Sequence, residues 1–414
     1  MTGKTKIAGL FFLLVLSSTV QGVTLGWDDI VVLAKTHNQD LKNAELSIKQ
    51  AEIEYSKAAT NLYPKLSTSA GYSLSGGDEG GTSDAYALGI SGSLPVFSGF
   101  SDVTELQIQK VNKAIERENY FRTYSDVLYG LKTSYINLLT TQEMLALWQN
   151  IQKQRTDNYN LVKLKYQAGR EDRGAMLRME ADKLQADYEL ANAKRDSISA
   201  MLELMRNIGI GASDTFTVTG SLVVDSLPSM ASGDSVLGTV PEYRLSKYKL
   251  ESTKLKIRQA KSGYYPDVSL SSGYSMRGST FPPDYGGWNV GLSLSYPLTG
   301  SLTNKYQVNT ARNSMAMSEH TFEKTALTIN ASIQSARNDL LRAVENIIIN
   351  EKYLAASKEQ SLITSRKYMN GLATYTEWYS VETDYVNAKK NMLSSRKNAI
   401  LLRAKLANIM GEGE

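Results

Sequence analysis

Side chains that could do covalent or acid–base chemistry are sparse in this 414-residue sequence. There is no Cys, which removes thiolate nucleophiles, thiolate metal sites, disulfides and an acyl-Cys anchor at the N-terminus. The two His, His37 and His320, stand alone with no ligand spacing around either. No GxSxG elbow occurs, and Gly3-Lys4-Thr5 lacks the upstream Gly of a phosphate loop. The 13 Met form no cluster suited to copper or silver and read as core filler. With 46 Lys plus Arg against 42 Asp plus Glu, the formal charge is +4, and no basic nucleic-acid footprint is present. We therefore expect no enzyme, no cofactor, no metal and no nucleic-acid partner. The titratable groups that do cluster, Arg170, Glu171, Asp172 and Arg173, offer ion pairing; on a solvated helix end each is worth under about 1 kcal/mol.

Residues 1–22 run from Lys4 and Lys6 through the apolar stretch Ile7 to Leu16 into SSTVQG, the pattern of a secretory signal peptide cleaved near Gly22. That stretch is too short to span a bilayer, and no later segment offers about eighteen uninterrupted apolar residues. The rest is one unit used twice. AATNLYPKLSTSAGY from Ala58 is echoed by AKSGYYPDVSLSSGY from Ala260, and the same offset pairs Pro95 with Pro297, Tyr166 with Tyr368, Gly169 with Gly371 and Gly209 with Gly411. Repeat one is expected over 23–212 and repeat two over 235–414, joined by 213–234, where small residues and Pro228 break the helical pattern.

Each repeat holds two strictly alternating segments, about 65–76 and 84–97, then 267–278 and 286–299. One face carries Leu66, Tyr72, Leu88, Ile90, Leu270, Tyr274, Trp288 and Leu292; the other is almost entirely Ser and Gly. Their length suits a tilted strand crossing hydrocarbon, and the aromatics sit toward strand ends like an interfacial girdle. Four strands cannot close a barrel, since the smallest membrane barrels use about eight, so oligomerisation is expected.

Pro95 and Pro297 are expected to end strands two and four. Beyond them no helix-stopping signal appears over about 100–167 or 302–369. Runs of that length make helices of roughly 100 Å. Phe121, Tyr124, Leu128, Leu131, Tyr135 and Leu138, and the series from Phe322 to Ile347, alternate steps of three and four as in coiled coils. Each long helix then meets a Tyr-x-x-Gly turn, Tyr166 to Gly169 or Tyr368 to Gly371, and a returning helix is expected over about 170–208 or 372–410. A secreted or periplasmic coiled-coil rod or adhesin would also explain the heptads, though not the uncharged strand pairs.

The segment THNQDLKNAELSIKQAEIEYSKAATNLYPKLSTSAGY, the Pro-bounded strand pairs, the Tyr-x-x-Gly turns and the helices ending at Gly209 and Gly411 together resemble the TolC-like outer-membrane efflux family, in both repeats and in order. The resemblance implies an α+β membrane protein, one third of a homotrimer. Its twelve-stranded barrel would sit in outer-membrane lipid above a periplasmic α-helical barrel narrowing at the Tyr-x-x-Gly tips. It implies docking onto a periplasmic adaptor and an inner-membrane transporter, with substrate passing through unchanged. Family members carry an aromatic three residues before the turn Gly and carboxylates six and nine after it. Tyr166 and Tyr368 fill the first position and Glu377 the second in repeat two; Ser380, Ala175 and Arg178 replace the other carboxylates. The implied gate comprises Tyr166, Gly169, Arg170, Glu171, Asp172, Arg173, Tyr368, Gly371 and Glu377, with Glu377 as a three-fold anionic ring and the Arg170 to Arg173 cluster pairing to hold the tips closed.

Overall fold

A computed structural model describes residues 23–77, 80–211, 216–223, 237–298 and 300–411. The signal-like segment 1–22 and most of the 213–234 join lie outside them. The strands and α-helices of the described residues are, in chain order, β1 (Val23–Leu25), α1 (Trp27–His37), α2 (Gln39–Thr60), β2 (Lys65–Gly77), β3 (Gly80–Ser98), α3 (Ser101–Gln167), α4 (Arg173–Ile208), β4 (Phe216–Val218), α5 (Pro241–Ala260), β5 (Asp267–Gly278), β6 (Tyr285–Ser295), α6 (Ser301–Met369) and α7 (Tyr375–Met410).

Strands β2, β3, β5 and β6 form one antiparallel sheet in that order. The register keeps the two faces apart across all four strands, aligning Ile90 with Tyr274 and Tyr274 with Trp288 on one side, and Ser69 with Gly89 on the other. The repeat extends to side chains. Ser67 and Ser91 share a hydroxyl hydrogen bond of 2.8 Å, and Ser269 and Ser293, each 202 residues on, share one of 2.7 Å. The apolar face lies bare, with Leu66, Trp288 and Leu292 at 81, 78 and 71 % exposure.

The helices repeat the order of the strands. α2 lies beside α3, α3 beside α5 and α5 beside α6, while α4 returns along α3, α7 along α6, and α3 also meets α7. Among the described residues no helix is long and apolar enough to cross a membrane. The main core sits at mid-height, where Ile30, Leu131, Tyr135, Leu138, Leu204, Ile208 and Phe216 pack together. The coiled-coil stripes supply much of it: Leu128, Leu131, Tyr135 and Leu138 are buried, though Phe121 is 49 % exposed. A short parallel pair, β1 with β4, braces this level, and the Tyr135 hydroxyl donates to the Thr219 carbonyl at 2.6 Å.

Four expected boundaries shift. Pro95 does not end its strand: β3 continues to Ser98 with a register shift between Pro95 and Phe97. Proline has no N–H for the ladder, and the extra residue Val96 absorbs the missing rung as a bulge. β6 stops at Ser295, short of Pro297. The returning helices start at Arg173 and Tyr375 rather than at 170 and 372, because the intervening residues are consumed by caps.

Candidate functional site: the paired hairpin tips

The ends of α3 and α6 are built alike. Gly169 (φ +70°) and Gly371 (φ +74°) adopt left-handed backbone. The Gly169 N–H donates to Tyr166 O at 2.9 Å and the Arg170 N–H to Lys165 O at 2.8 Å; Gly371 and Leu372 donate likewise to Tyr368 O and Lys367 O at 3.2 and 2.8 Å. These are complete Schellman motifs. The return helices are then capped differently. Asp172 accepts from the Ala175 N–H at 2.8 Å. Thr374 and Glu377 form a capping box, with the Glu377 carboxylate accepting from the Thr374 N–H at 2.8 Å and the Thr374 hydroxyl accepting from the Glu377 N–H at 3.3 Å. Those backbone and hydroxyl donors, with Lys367 nearby, hold the exposed Glu377 carboxyl below its ordinary range.

The two hairpins lock together around Tyr368. It is 2 % exposed and stacks flat on Trp378, centroids 4.5 Å apart. The Lys165 ammonium lies 3.6 Å over its other face and donates to its carbonyl at 2.8 Å. Its hydroxyl donates to Glu171 at 2.7 Å. Burial, followed by that carboxylate, raises the Tyr368 phenol well above its ordinary value. Burial also raises Tyr375, to about 12, with Asp182 adding to the effect, and lowers Lys165. A second crossing joins Arg178 of α4 to Tyr379 of α7, the guanidinium donating to the phenol oxygen at 2.8 Å.

The expected site residues thus divide. Tyr368, Glu171 and the caps Gly169, Asp172, Gly371 and Glu377 are brought into one assembly at the tips. Tyr166, 37 % exposed, takes no part in the lock, although its repeat partner Tyr368 is its centre. Arg170 and Arg173 face solvent and make no ion pair among the described residues. Sequence reasoning missed Lys165, Trp378, Arg178 with Tyr379, and above all Glu382. Glu382 is 3 % exposed and accepts from Ser361, from Ser365 at 2.9 Å and from Gln154 of α3, tying three helices together above the tip. The available signal was an acid at the i+4 position between Trp378 and Val386, both buried.

Long helices, a bare-faced sheet and cross-linked tips define an elongated channel-forming class, and comparison with known proteins makes the class specific. The chain belongs to the outer membrane efflux protein family, matching it over residues 30–210 and 235–412, one span per repeat. It is an outer-membrane efflux channel, which replaces the reading as a secreted rod. It is 22 % identical to the probable outer membrane lipoprotein SilC of Salmonella typhimurium over 361 residues, covering 82 % of this chain and 72 % of SilC. It is also 22 % identical to the cation efflux system protein CusC of Escherichia coli K12 over 385 residues, covering 87 and 80 %. The open-state MtrE outer membrane channel of Neisseria gonorrhoeae has the same fold, with a TM-score of 0.83 at 21 % identity, covering 99 % of this chain and 96 % of that one.

Proposed function

We propose that three copies of this chain close a twelve-stranded barrel in the outer membrane and a helical tunnel beneath it, forming the exit duct of a tripartite efflux system. A periplasmic adaptor and an inner-membrane transporter deliver the cargo, and the transporter sets its identity. One observation carries the reading: a four-stranded sheet with an exposed apolar face and two unpaired edges, β2 and β6. In hydrocarbon every backbone group must be paired within protein, so these edges must meet other copies. The absence of Cys makes the test clean. A cysteine at position 69 of β2 is combined with one scanned over 289, 291 and 293 of β6, and oxidised in membranes. A covalent ladder ending at trimer supports the assembly; a ladder ending at dimer or running on without limit refutes it.

At the tip, Glu377 contributes a three-fold anionic ring, and Arg170 and Arg173, without an ion pair among the described residues, supply ion pairs to neighbours that hold the entrance closed. Because Glu377 also caps α7, Glu377→Gln is the informative substitution: the amide keeps an acceptor for the Thr374 N–H and removes the charge. Reduced cation preference in Glu377→Gln trimers and raised open probability in Arg173→Ala trimers are expected in single-channel recordings. No change in either removes the gate assignment.

A further inference from the structure

Where the sheet meets the helices, a cavity of about 350 Å³ opens between the start of α3 and the end of α5. Its walls are of two kinds. Phe100, Val103 and Tyr265 are apolar; Arg258, Lys261 and Gln107 are polar. The Val96 bulge keeps Phe97 on the apolar side of the sheet, opposite Val268 and in line with Leu294. Phe97 meets Phe100 and Tyr265 edge-to-face at 5.1 and 6.3 Å, and Phe100 meets Tyr265 at 5.8 Å, so the cavity lies on the side of the sheet that carries its apolar residues. The backbone is forced into this shape. Gly99 and the non-glycine Phe100 are both left-handed, at φ +58° and +68°, and a Cβ on Gly99 would collide with the Ser262 carbonyl.

The charges point the same way. Arg258 donates to Gln107 at 3.3 Å, which holds the guanidinium across the cavity. Neither Arg258 nor Lys261 has a carboxylate partner among the described residues. The acids nearby are engaged or turned aside: Asp102 accepts from Ser98 at 2.6 Å, Glu105 accepts from Gln259 and Gln109, and Asp267 is in register with Ser98 and Ser295 on the polar face. Two unpaired cations beneath an aromatic rim, at the level where membrane strands end, match the chemistry of a phospholipid: phosphate below, acyl chains against the rings.

We propose that this cavity is a binding site for the headgroup of an anionic phospholipid of the periplasmic leaflet, held by Arg258 and Lys261 with its chains against Phe100 and Tyr265. The site rests on the barrel being embedded as described above. The test is native mass spectrometry of the full-length protein released from nanodiscs of mixed phosphatidylglycerol and phosphatidylethanolamine. Retention of phosphatidylglycerol over phosphatidylethanolamine by about tenfold is expected. Arg258→Gln/Lys261→Gln should abolish the preference while phosphatidylethanolamine retention is unchanged, and Tyr265→Ala should weaken both lipids alike. Equal retention in the wild type, a preference surviving the double substitution, or displacement by inorganic phosphate alone would overturn the site. The same spectra weigh the assembly, so a wild-type trimer without lipid preference condemns the site alone, whereas absence of a trimer condemns the channel assembly beneath it.

Discussion

Tyr368 and Tyr166 occupy the same place in the repeat and have different work. The phenol of Tyr368 is buried and donates to Glu171, while that of Tyr166 lies at the surface. Tyr368→Phe keeps the Trp378 stack and loses one charge-assisted hydrogen bond, a loss of about 1.5 kcal/mol. Open probability in planar bilayers should rise about tenfold, and Tyr166→Phe should leave it unchanged. The pH dependence follows from the shifted groups. Glu377, lowered by its cap, contributes fully above the ordinary carboxylate range, and that contribution fades as pH falls through its lowered value. Tyr368 and Tyr375 are raised, so their neutral-phenol contacts are at full strength below about pH 10 and weaken as pH climbs toward the raised values. Tip closure should be flat from about pH 5 to 9 and loosen above about 10. A transition centred near neutrality would contradict this assignment.

At the scale of elements, the turn glycines are conformational rather than steric. Beyond the two flanking residues, no heavy atom lies within 4 Å of a Cβ built at Gly169 or Gly371, so substitution there meets only the left-handed backbone. Gly371→Ala should cost the tip about 1 kcal/mol, Gly371→Asn less and Gly371→Val more, as read by limited proteolysis at the turn. The Glu382 junction is different. Glu382→Ala strands Gln154, Ser361 and Ser365 without their acceptor and should lower stability by about 2–3 kcal/mol, with Glu382→Gln milder, as measured by denaturant unfolding. These contrasts also mark what the sequence could disclose. The long helices were legible because Pro-free runs and steps of three and four are local signals. The turns were legible because only a few residues tolerate positive φ. The burial of Glu382 depends on Ser361, Ser365 and Gln154 converging from two other helices, and the break between Tyr166 and Tyr368 depends on Lys165 and Trp378; neither is a local property. Pro95 misled for a related reason, since a proline marks a missing rung without saying whether the strand stops or bulges.

Over the whole molecule, a single protomer buries its apolar groups unevenly. The main cluster, from Ile30 through Leu131 and Leu138 to Leu204 and Ile208, lies at mid-height, with smaller ones around Ile333 and Leu340 and around Met179 and Trp378. The sheet has no such core; its large side chains, Leu66, Trp288, Leu292 and Leu294, are exposed, and its edge strands leave half their ladder unmade. The free energy that holds the sheet must therefore come from lipid and from neighbouring copies, while the helical middle can order within one chain. Pulsed hydrogen exchange during refolding into detergent should protect amides around Leu131 to Leu139 of α3 first, at a rate independent of protein concentration. Protection of β2 and β6 should follow with trimer formation and accelerate as protein concentration rises. Strand amides protected before the helical middle, or at a concentration-independent rate, would mean that the sheet closes within one chain, and that the assembly built on its open edges is wrong.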